Sequence, residues 1–294
     1  MENEDLQVRG LGSGINTHKN RLFFDAYACT IYENHDQIMQ KLQLQFWGNF
    51  WYRTTGSTNG YQELWVLKKN PDAKHSIVRA YMGGNCGGIH LDCKGYETTK
   101  FVECIRRNYP DHKVTRADVS VDFEYPGAWE GISTLVKGYK DSHGITRRTF
   151  DGEENGVTVY LGSNKSPVSL RCYQKGKEQH GPDASPDWVR VELCVRPSNK
   201  EAKDAASKWH QEQFFGASSW SANLLQVLLS IPVERFKIGT VWRSADTQRA
   251  RLALLRQYKT IIADWVVDLG GWEEFGSVVI ESIEEAEAKR QEYA

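Results

Sequence analysis

The segment Val114–Tyr125, VTRADVSVDFEY, is the most regularly alternating stretch of the chain, and it leaves little choice of structure. Ala117, Val119, Val121 and Phe123 fall on one side of a strand, and Arg116, Asp118, Ser120, Asp122 and Glu124 on the other. A period of two describes a β-strand with one face against a core and the other kept for charge. Trp188–Arg196 (WVRVELCVR) repeats the design, setting Val189, Val191, Leu193 and Val195 against Arg190, Glu192, Cys194 and Arg196. Val157–Glu178 reads as a hairpin. Val157, Val159 and Leu161 lead into the turn Gly162–Pro167, and Val168, Leu170 and Cys172 then share a face opposite Ser169, Arg171 and Tyr173.

Further strands are expected at Leu22–Tyr32, in a pair within Trp47–Lys68, in a hairpin of Ile77–Tyr81 with Gly88–Cys93, and at Arg147–Phe150. Helices are expected at Asp36–Gln45, Thr98–Tyr109 (stopped by Pro110) and Trp129–Tyr139. After Asn199 the character turns helical: Lys200–Phe214, Trp220–Leu229, Asp246–Val267 behind the cap Ser244, and about Trp272–Ala288. The expected fold is therefore α+β, a large antiparallel sheet with helices on one face and a helical region after it. We divide the chain into a flexible segment 1–20, an α+β domain 21–197 and a C-terminal helical region 198–294. RAYMGGNCGGIHLDCKG and TVYLGSNKSPVSLRCYQKG share an order of strand, Gly turn, strand and Lys-Gly. Each precedes an alternating strand carrying Arg116/Asp118 or Arg190/Glu192. Two such halves side by side would make one saddle-like, internally duplicated sheet.

Composition narrows the function classes. There are 37 basic and 38 acidic residues, a net charge of −1, so a nucleic-acid binder of this kind must concentrate its positive charge locally. Aromatics are 12% of the chain, ten of them Trp, enough to supply both a core and stacking platforms. The six cysteines form no CxxC pair, which reads as a reduced cytoplasmic protein without structural zinc. The polar, acidic start is no signal peptide, and no apolar run approaches ~20 residues, so no membrane span is expected. The Gly-rich stretches GGNCGG and GLGSG lack the strand, helix and Lys-Ser/Thr of a phosphate loop. No HxH or HExxH pair is present; His90, in IHLD, is a lone strand histidine able to serve as one ligand or as a polar-face residue.

The chemistry-bearing residues sit on the polar faces. Asp118 and Asp122 point the same way at roughly 13 Å along a regular strand, too far apart to share one ion unless a bulge intervenes. Glu192 and Arg190 share the polar face of another strand. Carboxylates on adjacent strands suit a hard divalent cation; equally, they suit cross-strand ion pairs with Arg116 and Arg190. Tyr173 ends a strand next to Lys175 and Lys177, an arrangement open to a nucleophile beside phosphate-binding cations or to an amphipathic tyrosine beside solvated lysines.

In order, GIHLDCKG, VTRADVSVD, VYLGSNKS…LRCYQKGKEQ and WVRVEL resemble the blocks of the replication-initiation-factor (Rep_trans) family of plasmid and filamentous-phage rolling-circle initiators and related conjugative relaxases. The resemblance covers about residues 77–197, and Gly95-Tyr96-Glu97 departs from the family's usual Gly-Cys-Arg. It implies a site-specific endonuclease and strand transferase. Tyr173, with Lys175, would attack a scissile phosphate in single-stranded or hairpin origin DNA and hold the 5′ end as a phosphotyrosine. Asp118, Asp122 and Glu192 would hold Mg²⁺ or Mn²⁺, and Lys165, Arg171, Lys177, Arg190 and Arg116 would contact DNA. Host helicase and polymerase are the implied partners, and oligomers remain open. A phenol titrates near ~10, and nearby lysine charge is expected to favour the phenolate. The alternatives are a mobilisation relaxase with the same chemistry and a non-catalytic single-stranded DNA-binding or regulatory protein on the same scaffold.

Overall fold

The computed structural model describes residues 21–55, 60–83, 87–163, 166–180, 185, 187–236, 238 and 258–292. Lys165, the 1–20 segment and the expected helical stretch 246–257 with its cap Ser244 lie outside the described residues. By their internal contacts, residues 1–241 and 242–294 form separate units.

The first unit is built on ten antiparallel strands in one sheet. In chain order come β1 (Phe23–Ile31), α1 (His35–Gln45), β2 (Phe50–Thr54), β3 (Glu63–Lys68), β4 (Val78–Met82), β5 (Ile89–Lys94) and α2 (Thr98–Asn108). Then follow β6 (Lys113–Glu124), α3 (Ala128–His143), β7 (Arg147–Asp151), β8 (Val157–Leu161), β9 (Val168–Gln174), α4 (Lys175–His180), β10 (Trp188–Val195) and α5 (Lys200–Ala206). The spatial order is β2-β3-β4-β5-β1-β6-β10-β9-β8-β7. Each half is strand, helix, four strands and helix, the second with the short α4 inserted between β9 and β10, and the two halves meet at β1 and β6 in mirrored order. The duplication is therefore real in topology, but it equates β4–β5 with β9–β10. The sequence comparison had matched β4–β5 with β8–β9, one strand early, because both hairpins turn on glycine and end in Lys-Gly.

The alternation read in β6 and β10 fixes the layers. Ala117, Val119, Val121, Val189, Val191, Leu193 and Val195 are buried in one core with Ile38, Leu42, Phe101, Ile105, Ile132 and Val136 of the helices. The apolar face thus takes α1, α2 and α3, and the charged face is left for chemistry. Burying a side chain of this size stabilises by about 1.5–3 kcal/mol, so the sheet's handed faces are strongly specified.

Two local departures matter. Lys200–Phe214 is not one helix but two, α5 and α6 (Gln211–Phe215). Ser207 caps the end of α5 through a 2.6 Å bond to the Asp204 carbonyl, and Trp209 then leaves the helical path to pack on Phe214 and Phe236. α7 (Ser219–Leu229) starts at the cap Ser218. The second unit holds a helix over 258–268 and another at Trp272–Glu292, with Trp265 and Trp272 edge-on to Phe275. No helix among the described residues is long and apolar enough to cross a membrane.

Candidate active site

The site lies on the helix-free face where β9, β10, β6 and β1 run side by side. Across these strands the register sets Tyr173 opposite Arg190 and Arg190 opposite Asp122; Arg171 opposite Glu192 and Glu192 opposite Ser120; Ser169 opposite Cys194 and Cys194 opposite Asp118. Every one of these residues has the parity that the alternation assigned to the polar face. A cleft of about 420 Å³ opens there, lined among others by Asp25, Lys94, Arg116, Asp118, Arg171 and Glu192.

Tyr173 is 3% exposed, with its hydroxyl donating to Glu192 Oε2 at 3.5 Å. The Arg171 guanidinium lies 4.8 Å from the ring centroid and Lys175 Nζ 5.5 Å from it. Burial first, and then the Glu192 charge, drive the Tyr173 pKa well above the ordinary phenol range, against the opposing pull of Arg171 and Arg190. The expectation that neighbouring lysines would favour the phenolate is overturned. Lys175 spends its charge on Glu178 at 2.5 Å, and desolvation outweighs the remaining cations. The phenol is thus neutral in the resting site and needs an acceptor. The hydroxyl faces Glu192, which is buried at 2% exposure and whose carboxyl is pushed up to about 7, chiefly by desolvation, despite Arg171 and helped by Asp118 and Asp25.

The carboxylates are all engaged by arginine. Arg116 forks onto Asp118 at 2.8 and 2.5 Å, Arg171 bonds Glu192 at 2.7 Å, and Arg190 forks onto Asp122 at 2.6 and 2.8 Å. The remaining Arg190 nitrogen reaches Asp25 at 2.9 Å, so its fork is fully spent inside the protein. β6 and β10 pair without a register shift from Ala117 to Glu124. No bulge draws Asp118 and Asp122 together on that side, and only Asp118 lines the cleft with Glu192.

Asp25 is the residue that alternation missed. A bulge between Phe24 and Ala26 inserts it as an extra residue, so that Asp25 joins the polar face while Phe24 and Tyr27 remain in the core. Strict alternation would have grouped Asp25 with the buried Tyr27; the visible signal was an acid inside an aromatic strand. The cleft also gains Lys94 and Cys194, neither singled out from the sequence. Ser120 Oγ, between Asp118 and Asp122 on β6, is buried without a hydrogen-bond partner. Lys177 is half-buried on α4 and does not line the cleft. That short helix, read as hairpin and loop from the sequence, depends on Gly176. A Cβ there would meet the Ser185 carbonyl oxygen at 2.3 Å, so only glycine lets the chain press in beside Lys175.

Whether these donors suit a divalent cation is a matter of chemistry and number. Among the described residues no three His, Cys, Asp or Glu side chains gather as a metal-holding group. Mg²⁺ and Mn²⁺ sites on phosphate substrates need only one or two carboxylates, completed by phosphate oxygens and water. Asp118 and Glu192, hard oxygen donors on neighbouring strands of one cleft, fit that mode. Asp122, forked to Arg190 away from the cleft, does not.

With this geometry in place, the match to a family model bears out the resemblance read in the sequence. Residues 112–227 match the family model of the replication initiation factors, a span running from β6 into α7 and holding the whole tyrosine–carboxylate cluster except Asp25. A solved structure described as a rolling circle replication initiator protein from Geobacillus stearothermophilus aligns with a TM-score of 0.48 at 19% identity, covering 78% of this chain and 90% of that one. No curated protein matches the chain.

Proposed function

We propose that this chain initiates rolling-circle replication by nicking and rejoining single-stranded or hairpin origin DNA through a covalent phosphotyrosine at Tyr173. The observation that carries the reading is the Tyr173 hydroxyl, buried behind the cleft lining and held 3.5 Å from Glu192, whose carboxylate does line the cleft with Asp118, Asp25 and Arg171.

Arg171 covers the tyrosine ring and pairs with Glu192 in the resting state. A DNA phosphate entering the cleft offers Arg171 a better-matched anion, since a guanidinium binds a phosphate bidentately. Moving Arg171 onto the phosphate uncovers the phenol and leaves Glu192 free to take its proton. The phenol oxygen then forms a bond to phosphorus as the bond from phosphorus to the 3′ oxygen breaks. That oxygen takes up a proton to become the 3′-OH that a polymerase extends, and the 5′ end stays on Tyr173. The reverse attack by a 3′-OH reseals the strand without external energy, because the phosphotyrosine conserves the phosphodiester. Arg116 and Arg171 orient the strand at the cleft. Asp118, with the Glu192 oxygen not turned to the phenol, would hold Mg²⁺ or Mn²⁺, which when bound neutralises charge on the phosphoryl oxygens in the transition state. Lys175, spent on Glu178, buttresses the tyrosine ring rather than the phosphate. Origin DNA with host helicase and polymerase are the partners, and the catalytic domain extends to the helices packed on β6 and β10. A mobilisation relaxase would run the same chemistry.

One observation favours a second reading: Asp118, Asp122 and Glu192 each already have an arginine partner, which suits a non-catalytic single-stranded DNA-binding protein on the same scaffold. Covalent transfer separates the two. Incubated with a labelled origin oligonucleotide and Mn²⁺, the wild-type chain should form an adduct that survives denaturation, and Tyr173→Phe should form none while still binding the DNA. An adduct on the Phe variant moves the nucleophile elsewhere.

A further inference from the structure

The mirrored order of the sheet gives every strand of the site a counterpart in the first half: β9 matches β4, β10 matches β5, and β6 matches β1. The cross-strand register carries the comparison to single residues. On β9, Arg171 and Tyr173 stand two apart, opposite Glu192 and Arg190. On β4, Arg79 and Tyr81 stand two apart, opposite Asp92 and His90. The ion pair is repeated as well, Arg79 to Asp92 at 3.1 Å against Arg171 to Glu192 at 2.7 Å. The helix-free face therefore carries an Arg-x-Tyr set against an acid twice.

The central strand shows where the halves differ. Asp118 opposes Cys194 and Asp122 opposes Arg190, whereas on β1 Ala26 opposes Lys94 and Thr30 opposes His90. The first half has thus lost both central carboxylates and gained a lysine. Its acid Asp92 is tied to Arg79, and the bulge residue Asp25 of β1 turns to Arg190 of the second half. In place of the missing acids there is an aromatic cluster. Tyr61 stacks on His90 with centroids 5.9 Å apart and planes 15° apart, and Tyr81 lies 5.7 Å from His90 and 5.5 Å from Tyr61. Thr30 Oγ1 holds His90 Nδ1 at 3.3 Å. Burial lowers the His90 pKa, so the imidazole is a flat neutral ring suited to stacking on bases. Lys94 belongs to β5 and also lines the cleft, so one strand leads from the tyrosine site to the aromatic cluster. From Lys94 to His90 is about 13 Å along that strand.

Building on the nicking reading, we propose that the first half of the sheet is a second single-stranded DNA site, which holds the strand leaving the cleft and does not cut it. Tyr61 and His90, backed by the buried Tyr81, stack its bases, and Arg79 and Lys94 take its phosphates. The two faces match in order, and the one without the central acids is the one that holds the strand rather than cuts it.

The test uses the full chain carrying Tyr173→Phe, so that binding is read without covalent attachment. Fluorescence anisotropy with labelled oligothymidylates of increasing length should show affinity rising once the strand outgrows the cleft. Adding Tyr61→Ala with His90→Ala should remove that rise, weakening the longest oligonucleotide roughly tenfold and the shortest hardly at all. Arg79→Gln, a change at a partly exposed pair, should lower the salt dependence of long-oligonucleotide binding by about one phosphate contact, a slope change near ~0.7. Long oligonucleotides bound as tightly by both variants as by the parent would overturn the proposal, and so would equal losses at all lengths. If the chain with Tyr173 intact forms no adduct, the nicking reading fails by itself, and the length dependence still decides this one.

Discussion

Arg190 holds Asp122 and Asp25 at once, joining β10, β6 and the bulge of β1 through one guanidinium. It is buried to 10% side-chain exposure, so the arginine acts as a rivet of the site rather than as a free DNA contact. Tyr173 lies opposite it on β9, and the seating of that strand depends on the rivet.

Removing it should cost stability before it costs DNA binding. Arg190→Ala leaves two partly buried carboxylates without a partner and should destabilise by about 2–4 kcal/mol, read as a lower urea midpoint. Arg190→Lys should recover only part of this, because an ammonium cannot make the fork. A wild-type midpoint with a large loss in DNA affinity would instead make Arg190 a direct contact.

Glu192→Gln keeps the size of the side chain and removes the proton acceptor. Nicking by the variant should fall roughly 10²–10⁴-fold in single-turnover gels. DNA binding should hold or tighten, since Arg171 is released from its anionic partner. Parallel losses in binding and nicking would mean that Glu192 only shapes the cleft.

Much of this was legible in advance, and the exceptions have physical causes. The alternation in Val114–Tyr125 and Trp188–Arg196 placed Asp118, Asp122, Arg190 and Glu192 on the right face, because a one-residue slip would have buried them in the core. Tyr173 and Arg171 followed from the same rule. Asp25 did not, since a bulge breaks the period on which the rule rests. Nor did α4, whose start at Lys175 needs Gly176 to clear the Ser185 carbonyl, which meets it only after the chain has folded back. The offset of the duplication had a similar origin: glycine turns look alike, whereas equivalence is set by the strand each hairpin pairs with. The ion pairs within the site were legible as one of two readings, and sequence gave no means of choosing.

His112 predicts the acid limb of stability. It is buried between Tyr27, whose hydroxyl lies 2.7 Å from Nε2, and the Tyr109 carbonyl, 2.7 Å from Nδ1. The carbonyl can only accept, so Nδ1 carries the proton and Nε2 accepts from the tyrosine. Burial lowers its pKa to about 4, against about 6.5 when unfolded. The unfolded chain therefore binds a proton between these values and the folded chain does not. Stability from this group is complete above pH 6.5 and is lost as the pH falls towards 4, by roughly 2–3 kcal/mol. His112→Gln should flatten that part of the stability profile in urea titrations at fixed pH; an unchanged slope would assign the acid limb to other groups.

Metal removal separates two uses of the cleft. In EDTA nicking should stop while DNA binding persists, and Mg²⁺ or Mn²⁺ should restore cutting. Asp118→Asn should need more metal for half-maximal nicking, and Asp122→Asn should need the same amount as the wild type. Full nicking in EDTA would remove the cation from the account.

The central claim, that Tyr173 is the nucleophile, is tested most directly by mass spectrometry of peptides from the full chain after incubation with origin-like single-stranded DNA and Mn²⁺. The account predicts a nucleotide adduct on the peptide containing Tyr173 and on no other. An adduct on Tyr81, Tyr125 or Tyr160, or none under conditions where the DNA is cut, would contradict it.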